Sequence, residues 1–346
     1  MTETEEIMSE IVESVLRFPR LARTLASVHR FNRTAQPPAS TPGQAQFNMR
    51  SAMDLHPRVG KLISRGVVRG APADAWRISD PQTSRFVEAA EVDQAVAGVR
   101  EHGFYVFKRT ASTEIVDAIR KFAEFAPSIA RGADEPAATY PRSNPNVGRY
   151  DIEEDIALQC AEIQEFVTDP AMALIAQKYL GQPVLMDEVA FWWTTSKLND
   201  DENINAQLFH QDRDRLSFLK FFIYLTDVEP DTGPHVYIDG SHKALPWALR
   251  GDGRKTDQLV RAAGLWDHVT ELCAPAGTIL AVDTIGLHKG KTPLRGDRLA
   301  LESEFSTSLF GMQYQLPAFV PTALTRERIS QMPWVLQRYA KCAINS

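Results

Sequence analysis

A chain of 346 residues with 44% hydrophobic and 24% charged residues has the balance of a soluble globular protein, sized for one large domain with extensions or two smaller ones. A formal net charge of −6 gives no electrostatic case for nucleic acid, which ordinarily needs a basic patch. Cys160, Cys273 and Cys342 are odd in number, widely spaced and without CxxC spacing, which argues against a disulfide framework or a thiolate zinc site and for a reducing compartment.

The opening MTETEEIMSE has no apolar run of signal-peptide type, and no stretch is long enough to span a bilayer. A cytoplasmic protein without a membrane partner is expected. Residues 5–32 carry Ile7, Ile11, Val15, Leu16, Leu21, Leu25 and Val28 at helical spacing, with Pro19 as a break or kink. The run from Thr34 to Gln44 is rich in Pro, Ser and Gly and is expected to be a linker. Residues 1–48 therefore form an N-terminal helix and linker, and residues 49–346 a single domain. The helix either lies on that domain or serves as a homodimerisation arm.

Residues 49–92 show no clean period. Val92 to Glu101 then reads as a helix, Gly103 to Lys108 as a strand, and a second helix capped by Ser112 or Thr113 carries Ile115, Val116, Ile119, Phe122 and Phe125 inward. Residues 131–151, with Tyr140, Arg142, Arg149 and Tyr150, are expected to be a long loop. Helix returns over 155–180, split near Asp169-Pro170 and ended by Gly181.

From Val184 the chain becomes β-rich. Strands are expected over Val184–Thr195, Leu208–Asp212, Phe218–Asp227, His235–His242, Val269–Leu272, Thr278–Asp283 and Leu299–Ser306, with a polar insertion over 243–266. Short strands bounded by turns point to an antiparallel sandwich or barrel rather than βαβ units.

The chemistry centres on Phe209-His210-Gln211-Asp212. A His and an Asp two residues apart on extended chain face one side. With a second His from another strand, such as His288 just past Asp283, they form the two-histidine, one-carboxylate set of non-heme iron oxygenases. Arg298 opens the next strand. A planar guanidinium there can grip the far carboxylate of a keto-acid through paired hydrogen bonds. A two-histidine zinc hydrolase uses similar ligands, but Arg298 and the lack of an HExxH motif count against it.

From about Ala90 to Phe310 the chain resembles the phytanoyl-CoA dioxygenase family of Fe(II)/2-oxoglutarate oxygenases. The resemblance rests on the helix–Gly–strand entry, Phe209-His-Gln-Asp, Tyr224-Leu-Thr-Asp-Val with the later Asp-Thr-Gly233, Gly240-Ser-His, Pro275-Ala-Gly-Thr-Ile-Leu, His288 and Arg298. It implies an α+β fold with a double-stranded β-helix (jelly-roll, cupin-like) core over about 184–310, flanking helices and an N-terminal helical extension. It implies Fe(II) held by His210, Asp212 and His288, 2-oxoglutarate held by Arg298, and O2 as co-reactant. Phe222 takes the place of a Trp that often walls the keto-acid. Many members carry a Ser two residues after the second histidine; here that position is Gly290, leaving Thr195 or Thr292 as the second donor.

The implied activity is hydroxylation of a small, polar or anionic molecule with release of succinate and CO2. Desaturation, cyclisation or epimerisation on the same cofactors, and a non-catalytic jelly-roll sensor, are the alternatives. Asp212 disfavours halogenation, which replaces that carboxylate with a small residue. Arg213, Arg215, His235 and Trp193 are the substrate-side candidates, since Trp192 and Trp193 alternate and only one can face a cavity. His242 belongs to a turn.

Overall fold

The computed structural model describes residues 19–31, 42–54, 59–67, 71–132, 139–197, 207–251, 253–311 and 316–342. Its strands are β1 (Phe104–Thr110), β2 (Ile129–Ala130), β3 (Arg149–Ile152), β4 (Leu185–Thr195), β5 (Phe218–Tyr224), β6 (His235–Ile238), β7 (Val269–Leu272), β8 (Thr278–Val282), β9 (His288–Gly290) and β10 (Asp297–Ser306). They form a seven-stranded sheet ordered β1-β8-β5-β10-β4-β3-β2 and a three-stranded sheet ordered β7-β6-β9, with antiparallel pairing throughout. This is the expected jelly roll, with helices laid on the outer face of the larger sheet.

The sequence of the three central strands explains why the sheet has one dry face and one functional face. Val189, Phe191 and Trp193 of β4, Leu219, Phe221 and Ile223 of β5, and Leu299, Leu301 and Phe305 of β10 join the main core. They pack there with residues from the helices Val92–His102, Thr113–Phe125, Ala161–Val167 and Pro170–Leu180. The alternate residues, Glu188, Ala190, Trp192 and Thr194, Lys220 and Phe222, and Arg298 and Glu302, line a cavity on the other face. Asp169 caps the helix Pro170–Leu180 by accepting from the N–H groups of Ala171 and Met172, and Gly181 ends it in the left-handed conformation at φ 67°.

The N-terminal segments lie on this domain. Helices 19–31, Pro42–Met53 and Val59–Val67 contribute Val28, Met49, Met53 and Ile63 to a cluster with Leu216, Phe218, Ile285 and Phe310. Pro19 is the first described residue of its helix, so the expected break or kink there falls at the edge of the described residues. Pro42, Gly43 and Gln44, read above as linker, are the first turn of a helix. Residues 1–18 of the expected first helix, and 32–41 of the expected linker, lie outside the described residues.

Two further expectations change. The expected strand Leu208–Asp212 is only a pair of isolated bridges, Phe209 to Lys255 and His210 to His288. The expected loop 131–151 ends in a strand, β3, because Tyr150 and Ile152 turn inward against β4. No helix among the described residues is long and apolar enough to cross a membrane.

Candidate metal centre and co-substrate cavity

A reciprocal backbone pair sets the site. His210 N–H donates to the His288 carbonyl at 2.9 Å and His288 N–H to the His210 carbonyl at 3.0 Å, while Asp212 N–H donates to the Thr284 carbonyl at 2.8 Å. The two imidazole rings come to 4.3 Å between centroids. Each ring's Nδ1 faces a carbonyl, Leu208 O at 2.9 Å and Gly286 O at 3.0 Å. A carbonyl only accepts, so both rings carry their proton on Nδ1 and turn a bare Nε2 inward.

Those Nε2 atoms lie 3.7 Å from Asp212 Oδ1 and 3.6 Å from Asp212 Oδ2, and the three potential ligand atoms fall within 4.8 Å of one another. Two neutral imidazoles and one carboxylate on one side fit a divalent transition metal, with the remaining side open to the cavity. Burial, with His288 close by, pushes His210 down to about 3, and burial also lowers His288. Burial alone would raise Asp212, but Lys220, His288 and His210 outweigh it and hold the carboxyl well below its usual range.

The cavity behind this set is about 320 Å³. At one end Lys220 Nζ lies 3.1 Å from Asp212 Oδ2, 2.8 Å from Glu302 Oε1 and 3.5 Å from Glu304 Oε2. Burial would lower the lysine, yet these carboxylates raise it well above its ordinary value. Glu188 faces the same end and is pushed by burial up to about 7.

At the other end stands Arg298, 5% exposed. Its Nη1 donates to the Gly233 carbonyl and its Nη2 reaches Thr194 Oγ1 at 3.3 Å, while its Nε is buried without a hydrogen-bond partner. No carboxylate among the described residues pairs with it, and burial lowers its affinity for its proton. A buried guanidinium with a spare donor is a socket for an anion. Trp192 and Phe222, packed edge to face at 6.4 Å, line the same cavity.

A sequence profile described as phytanoyl-CoA dioxygenase (PhyH) matches residues 99–291. The chain belongs to the phytanoyl-CoA dioxygenase family. Similar solved structures include the non-heme alpha-ketoglutarate-dependent epimerase SnoN from nogalamycin biosynthesis, at 14% identity over 63% of this chain and 84% of that one with a TM-score of 0.44. HygX from Streptomyces hygroscopicus, with nickel, 2-oxoglutarate and hygromycin B bound, is 16% identical over 67% of this chain and 93% of that one, with a TM-score of 0.43. EctD from S. alaskensis, in its apoform, is 14% identical over 69% and 88%, with a TM-score of 0.45. No curated protein matches the chain.

Against the expectations for a member of the phytanoyl-CoA dioxygenase family, the structure brings His210, Asp212, His288, Arg298, Phe222 and His235 to one cavity. It places others elsewhere. Arg213 is buried against Asp54, and Arg215 makes a two-pronged pair with Asp187 at 2.6 and 2.8 Å, so both hold the fold instead of facing a substrate. Trp193 stacks on Tyr140 at 4.7 Å in the core, and Trp192 takes the cavity side. Thr195 is turned away, with its hydroxyl on the Val147 carbonyl at 2.8 Å, and Thr292 is not in the lining.

Thr194 is the hydroxyl beside Arg298, paired with it in the β4–β10 ladder. One step of strand parity separates it from Thr195, the same step that separates Trp192 from Trp193. His242, as expected, serves a turn, reaching the Arg100 carbonyl at 3.2 Å. The cavity arginines that sequence reasoning missed, Arg50, Arg131, Arg149 and Arg254, come from segments distant from the metal motif.

Proposed function

We propose that this phytanoyl-CoA dioxygenase family member hydroxylates a small polar molecule carrying an anionic group, using Fe(II), 2-oxoglutarate and O2. The observation that carries the reading is the pairing, in one cavity, of a three-donor metal set with a buried guanidinium that no carboxylate among the described residues pairs with. When bound, ferrous iron with the keto-acid would supply the O2-activating chemistry, with succinate and CO2 as co-products.

His210, Asp212 and His288 would hold the metal through Nε2, a carboxylate oxygen and Nε2. Their Nδ1–H groups are spent on backbone carbonyls, so neither ring can rotate without losing a hydrogen bond. Lys220 grips the second oxygen of Asp212 and limits how that carboxylate turns. Arg298 and Thr194 take the far carboxylate of the keto-acid, and Trp192 and Phe222 shield its carbon chain from water.

The substrate side of the cavity is crowded with guanidinium groups. Arg149 lies 4.2 Å over the Trp192 ring, and burial together with Arg149 and Arg254 lowers Arg131. Arg131 and Arg149 share a single carboxylate, Asp151, at 3.1 and 2.6 Å, so the group keeps a net positive charge that favours a substrate anion beside Trp192. Asp212 in the carboxylate position favours oxygen transfer over halogenation.

The test is to supply Fe(II)-loaded protein with 2-oxoglutarate and a panel of small anionic substrates and to measure succinate and product mass. Hydroxylation adds one oxygen; loss of two hydrogens would move the reading to desaturation. His210→Ala and Asp212→Ala are each expected to abolish substrate-coupled succinate formation. Full activity in either variant removes the ligand assignment.

A further inference from the structure

Gly290 leaves a gap in the keto-acid socket, and the neighbouring strand fills it. A side chain at position 290 would start 3.6 Å from Arg298 Nη2, and glycine leaves that space empty. Across the β6–β9 ladder the residue paired with Gly290 is His235. It lies two residues after Gly233, whose carbonyl accepts from Arg298, and it lines the same cavity.

The His235 ring is held in place on two sides. It stacks on His288 at 5.3 Å with 5° between the planes and sits 5.2 Å from the Phe222 ring. Its backbone N–H donates to Tyr224 Oη at 3.1 Å. The side chain is 7% exposed, and Nε2 is buried without a hydrogen-bond partner.

A buried, unpaired polar nitrogen is costly in a finished fold and common at a ligand site. Here two such nitrogens, His235 Nε2 and Arg298 Nε, belong to residues that line one cavity. His235 is not in the set of groups that converge for a metal, which comprises His210, Asp212 and His288 among the described residues. With its proton on Nε2, His235 adds a second unpaired donor to the cavity in which no carboxylate among the described residues pairs with Arg298, a setting that suits one acceptor with two oxygens.

We propose that His235 is a binding residue for 2-oxoglutarate, its Nε2–H donating to the carboxylate that Arg298 pairs with. The inference rests on the functional reading above, and it makes His235 a further donor beside Arg298 and Thr194, in place of a side chain at 290. A neutral imidazole suffices for this role, since the charge comes from Arg298.

Calorimetric titration of 2-oxoglutarate into Ni(II)-loaded protein, which binds without turnover, tests it. Metal affinity is measured in parallel, and thermal midpoints serve as the folding control. His235→Phe keeps the stacked ring and removes the donor; it is expected to weaken keto-acid binding about ten- to hundredfold while metal affinity stays within about twofold. His235→Gln restores a donor and is expected to recover most of the loss. His235→Ala replaces the Phe variant should the larger ring not be accommodated.

Keto-acid affinity of wild-type strength in the donorless variant overturns the assignment, as does a parallel fall in metal affinity, which would make the ring a support for His288. Failure of the metal-loaded wild type to bind 2-oxoglutarate overturns the functional reading itself, and the His235 assignment with it. That result is visible before any variant is made.

Discussion

The two ends of the cavity hold one buried cation each, and they are treated in opposite ways. Lys220 is surrounded by Asp212, Glu302 and Glu304 at 3.5 Å or closer, with Glu188 beside them. Arg298 has a carbonyl, a hydroxyl and an unused Nε. A cation matched from within belongs to the fold, and removing it strands its partners. A cation left short of an anion is shaped for a ligand, and the fold bears a cost until the ligand arrives. Charge alone therefore does not mark a binding residue; the state of its partners does.

Lys220→Met gives the largest expected effect and the most direct way to break the comparison. Deleting the ammonium leaves three carboxylates clustered in a buried space, and a stability loss of about 3–5 kcal/mol is expected in urea unfolding of the metal-free protein. A midpoint equal to that of the wild type would show that Lys220 is not an internal counter-ion. Arg298→Gln is the mirror experiment. Affinity for 2-oxoglutarate is expected to fall about a hundredfold or more by calorimetry, while the thermal midpoint of the ligand-free protein stays level or rises. A large drop in that midpoint would place Arg298 in the same structural class as Lys220.

Much of the scaffold was legible because its signal is local. Leu185–Thr195, Phe218–Tyr224 and Asp297–Ser306 announce themselves by alternation, and the helix stop at Gly181 by its chemistry. The metal motif was legible as a spacing, although the chain at His210 is a single bridge to His288 and not a strand. What stayed hidden depends on distant partners. Arg213 and Arg215 sit next to Asp212 in sequence, yet Asp54 and Asp187 turn them inward. Thr194 and Thr195 differ only in strand parity. The arginines that do face the cavity lie in segments, such as 131–151, whose composition suggests a loop and whose direction is set only by packing on β4.

A smaller effect separates the metal set from both cations. The His210 imidazole is already neutral down to about 3, against an ordinary value near 6.5, and His288 is shifted in the same direction. Between pH 8 and 6 a metal then has almost no proton to displace, and its affinity is expected to change by less than about twofold. Two ordinary imidazoles would lose roughly tenfold over that range. Below about pH 6.5 the unfolded chain binds protons that these folded histidines refuse, so their contribution to stability falls as pH drops toward about 3. Metal titrations at both pH values check the first part, and acid unfolding of the metal-free protein the second.

The mildest change sharpens the Arg298 end without dismantling it. Gly290 lies in β9 opposite His235, and a Cβ there would meet Arg298 Nη2 at 3.6 Å, an ordinary contact that needs no rearrangement. Gly290→Ser therefore adds a hydroxyl donor beside a guanidinium that still lacks its anion. If the socket is built for a carboxylate, 2-oxoglutarate should bind up to about tenfold tighter, because a hydrogen bond to a charged group contributes about 1.5 kcal/mol at the low end. If His235 already supplies that donor, the gain in a His235→Phe background should exceed the gain in the wild type, since there the serine replaces a lost bond instead of adding to a complete set. Equal gains in the two backgrounds would mean that the serine and the histidine reach different oxygens, and that the socket has room for both.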